Sequence, residues 1–138
     1  MTTLTPAKVA ERTAEIVRRG YRAFGEEDLA TLAEVFDPAA SWHTPGRSAL
    51  AGAHRGRDAI FAQFARYGGE TNGTFKAALR SVLAGDDGVA VALHHNTAER
   101  KGKHLDVECC LSVEVANGRI IAVREYFQDL YAWDDFWA

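Results

Sequence analysis

Cysteine is scarce in this 138-residue chain: Cys109 and Cys110 are the only two, and they are neighbours. Adjacent cysteines cannot close a stabilising loop, and they are far from a CxxC metal pattern. They sit in LDVECCLSVEV, which reads as a strand, so the pair reads as small apolar side chains in reducing surroundings; a nucleophilic thiol is the open alternative. Long apolar runs are missing as well. Nothing approaches the ~20 residues that span a bilayer, and the start, MTTLTPAKVAERT, lacks a basic region followed by an apolar stretch. No membrane association is expected, and the chain reads as cytoplasmic. Basic residues are not in surplus: 16 Lys and Arg against 19 Asp and Glu give a formal charge of -3. That balance does not suit phosphate neutralisation, so nucleic-acid binding is set aside. HExxH spacing, a carboxylate cluster and a P-loop are all absent, and GAHRGRD reads as a turn leading into a helix. We expect no metal and no cofactor. Repeats, low-complexity tracts and linkers are lacking too, so residues 1–138 read as one domain.

What is present is a change of hydrophobic period partway along a chain that is 47% hydrophobic and 25% charged, the makeup of a globular protein. Thr5 and Pro6 mark a helix start, and Ala10, Ala14, Val17, Tyr21 and Phe24 recur on one face. EEDLATLAEVFDP is a shorter second helix that stops before Pro38. Ala40 to Thr44 reads as a short strand, followed by a glycine-bearing loop, SALAGAHRG. Ile60, Phe61 and Phe64 mark a third helix over 57–67, closed by Gly68 and Gly69. From there the period falls to two in FKAALRSVLA, GVAVALHHNTAER, HLDVECCLSVEV and RIIAVREYFQDL. Four strands joined by GDDG, RKGK and ANG favour antiparallel pairing. The fold class is α+β, with the helices on one face of an antiparallel sheet. Tyr131, Trp133, Phe136 and Trp137 in the closing LYAWDDFWA are too many aromatics to leave in water, so they cap the fold or seal a dimer.

Three stretches, YRAF..EDLATLAEVF, SWHTPGRSALAGAHRGRDAIFAQF and NGRIIAVREYFQDLYAWDDFWA, resemble in order and spacing the SnoaL-like branch of the nuclear-transport-factor-two-like superfamily. The resemblance covers nearly the whole chain. It implies a cone, in which a curved antiparallel sheet wraps around three N-terminal helices, with a blind apolar pocket at the open end, commonly in a homodimer. Ketosteroid isomerase, polyketide cyclases, limonene epoxide hydrolase and plain binding subunits share that shape, so fold alone does not settle function. The isomerase needs a carboxylate base and two hydrogen-bond donors. Tyr21 matches one donor approximately. Thr44 stands where the base belongs, and Cys109 or Leu111 where the second donor belongs. With two of three parts missing, steroid isomerisation by that mechanism is not expected.

The SnoaL-type cyclases are similar in carrying an acid near the end of the last strand, which makes Asp129 the candidate proton carrier; the alternative is a local cap for the aromatic segment. Period-two counting aligns Glu125, Phe127 and Asp129 on one face, and the resemblance puts Phe127 on the pocket side. Glu125 then points inward, or pairs with an arginine such as Arg124. His43 has the pKa for proton transfer, yet parity with Thr44 and Trp42 turns it away from the cavity. Of His94 and His95 one faces inward, and Val89, Val91 and Leu93 favour His95. Trp42, Phe61, Phe64 and Phe127 supply an apolar wall. The expected function is a cofactor-independent cyclase- or isomerase-like enzyme acting on a hydrophobic small molecule, with Asp129, His43 and Tyr21 catalytic and Trp42, Phe61, Phe64, His95, Glu125 and Phe127 against the ligand. The alternative is a non-catalytic ligand-binding or dimerisation module of the same fold.

Overall fold

The computed structural model describes residues 3–138; Met1 and Thr2, part of the start read above, lie outside the described residues. Helix α1 (Pro6–Gly25) begins where Thr5 Oγ1 accepts the Lys8 N–H at 3.2 Å and Pro6 fills a position that needs no donor. Asp28 caps α2 (Leu29–Val35) in the same way through the Thr31 N–H. The chain then runs directly into β1 (Phe36–Thr44), a short β2 (Gly52–Arg55), α3 (Arg57–Gly69), the four strands β3 (Lys76–Ala84), β4 (Val89–Arg100), β5 (Lys103–Ala116) and β6 (Arg119–Phe127), and a closing helix α4 (Leu130–Trp137). No described helix is long and apolar enough to cross a membrane.

The six strands form one curved, unclosed sheet in the order β2-β1-β6-β5-β4-β3. The α+β cone expected from the sequence is therefore present, with four differences of detail. Strand β1 starts at Phe36 rather than Ala40, and it lies parallel to β6, which makes the sheet mixed. The register of that pair breaks between Phe36 and Ser41, across Pro38, which has no N–H to give to a ladder. The glycine-bearing loop contains β2, and the aromatic tail forms α4. Lys101-Gly102 and Asn117-Gly118 all take positive φ, the turn geometry that matches the twist of the strands they join.

Helix α1 packs on β3 and β4, α3 on β1 and β2, and α4 on β5 and β6. The helices thereby decide which face of each strand is buried. On β4 the inward set is Ala90, Ala92, His94, Asn96 and Ala98, while Leu93 is 36% exposed. Small side chains there let α1 lie close to the strand. The C-terminal aromatics cover the chain itself: Trp133, Phe136 and Trp137 are buried with Leu50, Tyr67, Leu105 and Val107, and only Tyr131 stands in solvent. Asp134 ties α4 to the β1–β2 loop by accepting the Arg47 and Ser48 N–H groups.

Candidate functional site

Between α1, α3 and the inner sheet face lies a cavity of about 70 Å³, walled mainly by apolar side chains, among them Val17, Phe24, Trp42, Phe64, Leu111 and Val113. Its polar lining comes from Tyr21, Tyr67, His94, Asn96 and Glu125. Glu125 projects from β6 and is 4% exposed. One of its oxygens, Oε1, accepts from Thr44 Oγ1 at 2.6 Å, Trp42 Nε1 at 2.7 Å and the Tyr67 hydroxyl at 3.2 Å. Gln63 orients this set. Its Nε2 donates to Thr44 Oγ1 at 2.9 Å and to the Tyr67 hydroxyl at 3.2 Å, so both hydroxyl protons are left for the carboxylate. Among the described residues Oε2 has no hydrogen-bond partner. Burial pushes the Glu125 carboxyl above the usual range; the three donors oppose the shift without reversing it.

Across the cavity the Tyr21 hydroxyl meets His94 Nδ1 at 2.6 Å. Burial lowers the His94 pKa to about 4, and burial followed by the nearby Cys109 and Glu125 raises that of Tyr21. Both groups are therefore neutral near pH 7. The nearby Asn96 amide opposes this burial effect on His94, yet neither of its polar atoms has a well-formed hydrogen bond.

Of the residues singled out in the sequence, Tyr21, Trp42, Phe64 and Glu125 line this cavity. Phe61 packs behind the wall against Phe36 and Phe64. Phe127 stacks on Trp133 at 4.1 Å between ring centres and belongs to the aromatic seal of α4. Neither Phe61 nor Phe127 lines the cavity, so their expected place against the ligand is corrected, and three further expectations need correction as well. Asp129 is past the end of β6, so period two no longer governs it; it is exposed and accepts the Ala132 N–H at 3.0 Å as the N-cap of α4. His43 is exposed on the outer face, the inward places on β1 being held by Trp42 and Thr44. His95 is on the outer face too, between Asp106 and Glu108, whose hydrogen bonds raise its pKa. The inward histidine is His94. Gln63, Tyr67 and Asn96 were missed, and His94 was weighed but passed over for His95; the four-residue step from Gln63 to Tyr67 on a helix and the two-residue step from His94 to Asn96 on a strand were the available signals. We expect Asp129→Ala to lower stability by about 1 kcal/mol, as for other N-cap losses, and to leave ligand binding unchanged, as read by urea unfolding and a binding titration.

Residues 17–123 match the SnoaL-like domain family. The chain belongs to it. This SnoaL-like protein is 38% identical over 124 residues to an uncharacterized protein of Mycobacterium tuberculosis, covering 90% of this chain and 95% of the other. It is 64% identical to Bal32a, from a soil-derived mobile gene cassette, whose solved structure superposes with a TM-score of 0.93 over 94% of this chain and 99% of Bal32a. A protein of Jannaschia sp. CCS1 assigned as a SnoaL-like polyketide cyclase shares the fold, with a TM-score of 0.75 and 17% identity over 100% of this chain and 99% of its own. The SnoaL-like chain thus shares the fold of nuclear-transport-factor-two-like proteins.

Proposed function

We propose that this chain is a cofactor-independent enzyme that moves a proton on a hydrophobic small molecule bound in the cavity, with Glu125 as the proton carrier. The observation that carries this reading is a buried carboxyl with one oxygen held by three donors and the other without a partner, in an otherwise apolar space. Such burial makes a carboxylate basic enough to be useful near neutral pH. The base expected from the resemblance at Thr44 is supplied by the neighbouring strand: β1 and β6 pair Trp42 with Val123 and His43 with Arg124, which sets Thr44 beside Glu125.

Glu125 takes the proton from a carbon next to a carbonyl, and negative charge develops on the carbonyl oxygen. In the tautomer with the proton on Nδ1, His94 donates to the Tyr21 oxygen and frees the Tyr21 hydroxyl to donate to that oxyanion. Returning the proton to a second carbon gives isomerisation; attack by the enolate on a second carbonyl closes a ring, and the proton held by Glu125 goes to the alkoxide oxygen formed there. The family relation and the cyclase assignment of one structural neighbour support this reaction class. The same proposal keeps the homodimer: Leu93 and Tyr126 stand exposed beside Cys110 on the outer sheet face, a surface that a second copy of the chain would cover.

The test is solvent exchange. Incubated in D2O with one-ring cyclic ketones, the protein is expected to speed deuterium incorporation next to the carbonyl above the buffer rate, as read by proton NMR. Ketones that bind without exchange would defeat the catalytic reading and leave the ligand-binding module.

A further inference from the structure

Asn96 has the one side-chain amide among the described residues whose oxygen and nitrogen are both buried without a hydrogen-bond partner, and it lines the cavity. It is 1% exposed. The other orphaned side-chain atoms, the indole nitrogens of Trp133 and Trp137, are single donors inside the aromatic seal and do not line the cavity. A buried amide with neither atom satisfied is costly, and native proteins leave few such groups unexplained. Around Glu125 the donors of Thr44, Gln63 and Tyr67 all find acceptors, so the want of partners at Asn96 is local.

We propose that Asn96 reads the polar edge of the ligand, and that the cavity takes a neutral, planar molecule carrying a hydrogen-bond acceptor and donor side by side, as a lactam or other cis-amide does. This rests on the reading of the cavity as a small-molecule site. The amide of Asn96 offers a donor and an acceptor at one flat end, and a cis-amide edge matches both at once in a ring of two hydrogen bonds. The body of the molecule then lies against Phe24, Phe64 and Val113. A carboxylate fits poorly: it has no donor for the Asn96 oxygen, and it would bring a second negative charge into the space that holds Glu125. Because Asn96 stands two residues from His94 on the inward face of β4, the edge it holds is set beside the Tyr21–His94 pair.

So small a cavity calls for one-ring probes. 2-Pyridone carries the donor–acceptor edge; N-methyl-2-pyridone keeps the acceptor and lacks the donor. By calorimetric titration the wild-type protein is expected to bind 2-pyridone at least tenfold more tightly than its N-methyl form, and Asn96→Leu to lose that preference while melting no lower than wild type. Should the variant fail to fold, the wild-type protein still decides: the Asn96 side-chain NH2 signals in a nitrogen–proton NMR spectrum are expected to shift with 2-pyridone and not with the N-methyl form. Equal binding of both probes, no binding of 2-pyridone, unmoved Asn96 signals, or a preference that survives in Asn96→Leu as a size effect would overturn the proposal. A protein that prefers 2-pyridone but exchanges no ketone hydrogen loses the catalytic role of Glu125 and keeps this one; exchange without the preference does the reverse.

Discussion

Glu125→Gln is expected to slow ketone hydrogen exchange by about 10²- to 10⁴-fold, the range a positioned general base supplies, with little change in KM. Gln keeps the shape and an oxygen for Thr44, Trp42 and Tyr67, so the loss falls on proton transfer rather than on binding. The pH behaviour has a defined sign. Burial raises the Glu125 pKa in the folded chain, so the wild-type rate climbs as pH passes through a value above the usual carboxyl range, and the variant loses that limb. Stability moves the other way. A folded-state pKa above the unfolded one means that Glu125 contributes stability fully below the unfolded pKa, and that this contribution is lost as pH rises through the folded pKa. Gln carries no charge to desolvate. The variant should therefore melt at or above the wild-type temperature at pH 8, with the gap closing toward pH 4. A variant that exchanges at the wild-type rate would remove Glu125 from the chemistry, and melting curves at the two pH values separate that outcome from misfolding.

Trp133→Ala should give the largest loss of stability, about 3–5 kcal/mol by urea unfolding, the usual cost of emptying an aromatic core site. Trp133 is fully buried, stacks on Phe127 and meets Tyr67, Phe75 and Trp137 edge-on or nearly so. In a domain of this size that loss corresponds to a melting temperature lower by about 10 °C or more. Tyr131, two residues earlier and 86% exposed, is the control; its replacement by Ala should change stability by less than about 0.5 kcal/mol. Equal effects at the two positions would mean that α4 does not seal the core. The site has a stake in the same helix, because Tyr67 reaches both Trp133 and the Glu125 carboxylate.

Much of this was legible in the residues. The Thr5-Pro6 start of α1, the stop near Pro38 and the ANG turn all express local backbone preferences, and each holds in the fold. Tyr21 was placed toward the cavity by the family resemblance, and Trp42 and Glu125 by period counting anchored at positions that the resemblance supplied, while Phe64 followed from the apolar face of α3. Where the anchor was hydrophobicity alone it misled. On β4 the larger residues Val89, Val91 and Leu93 pointed to His95, but it is the alanines that face α1, and His94 goes inward with them. Asp129 misled differently: extending the strand two residues too far turned a helix cap into a candidate acid.

The sequence by itself determined the order of α1 to α3, β1 and β3 to β6, the turns between the last four strands and, through the order of its motifs, membership of the SnoaL-like family. Only the tertiary structure decided which carboxyl enters the cavity and what surrounds it. Thr44 and Glu125 are 81 positions apart and meet because β1 lies parallel to β6. Alternation along a strand fixes which residues share a face. Which face is buried depends on the helix packed over it, and that is settled by contacts between elements distant in sequence.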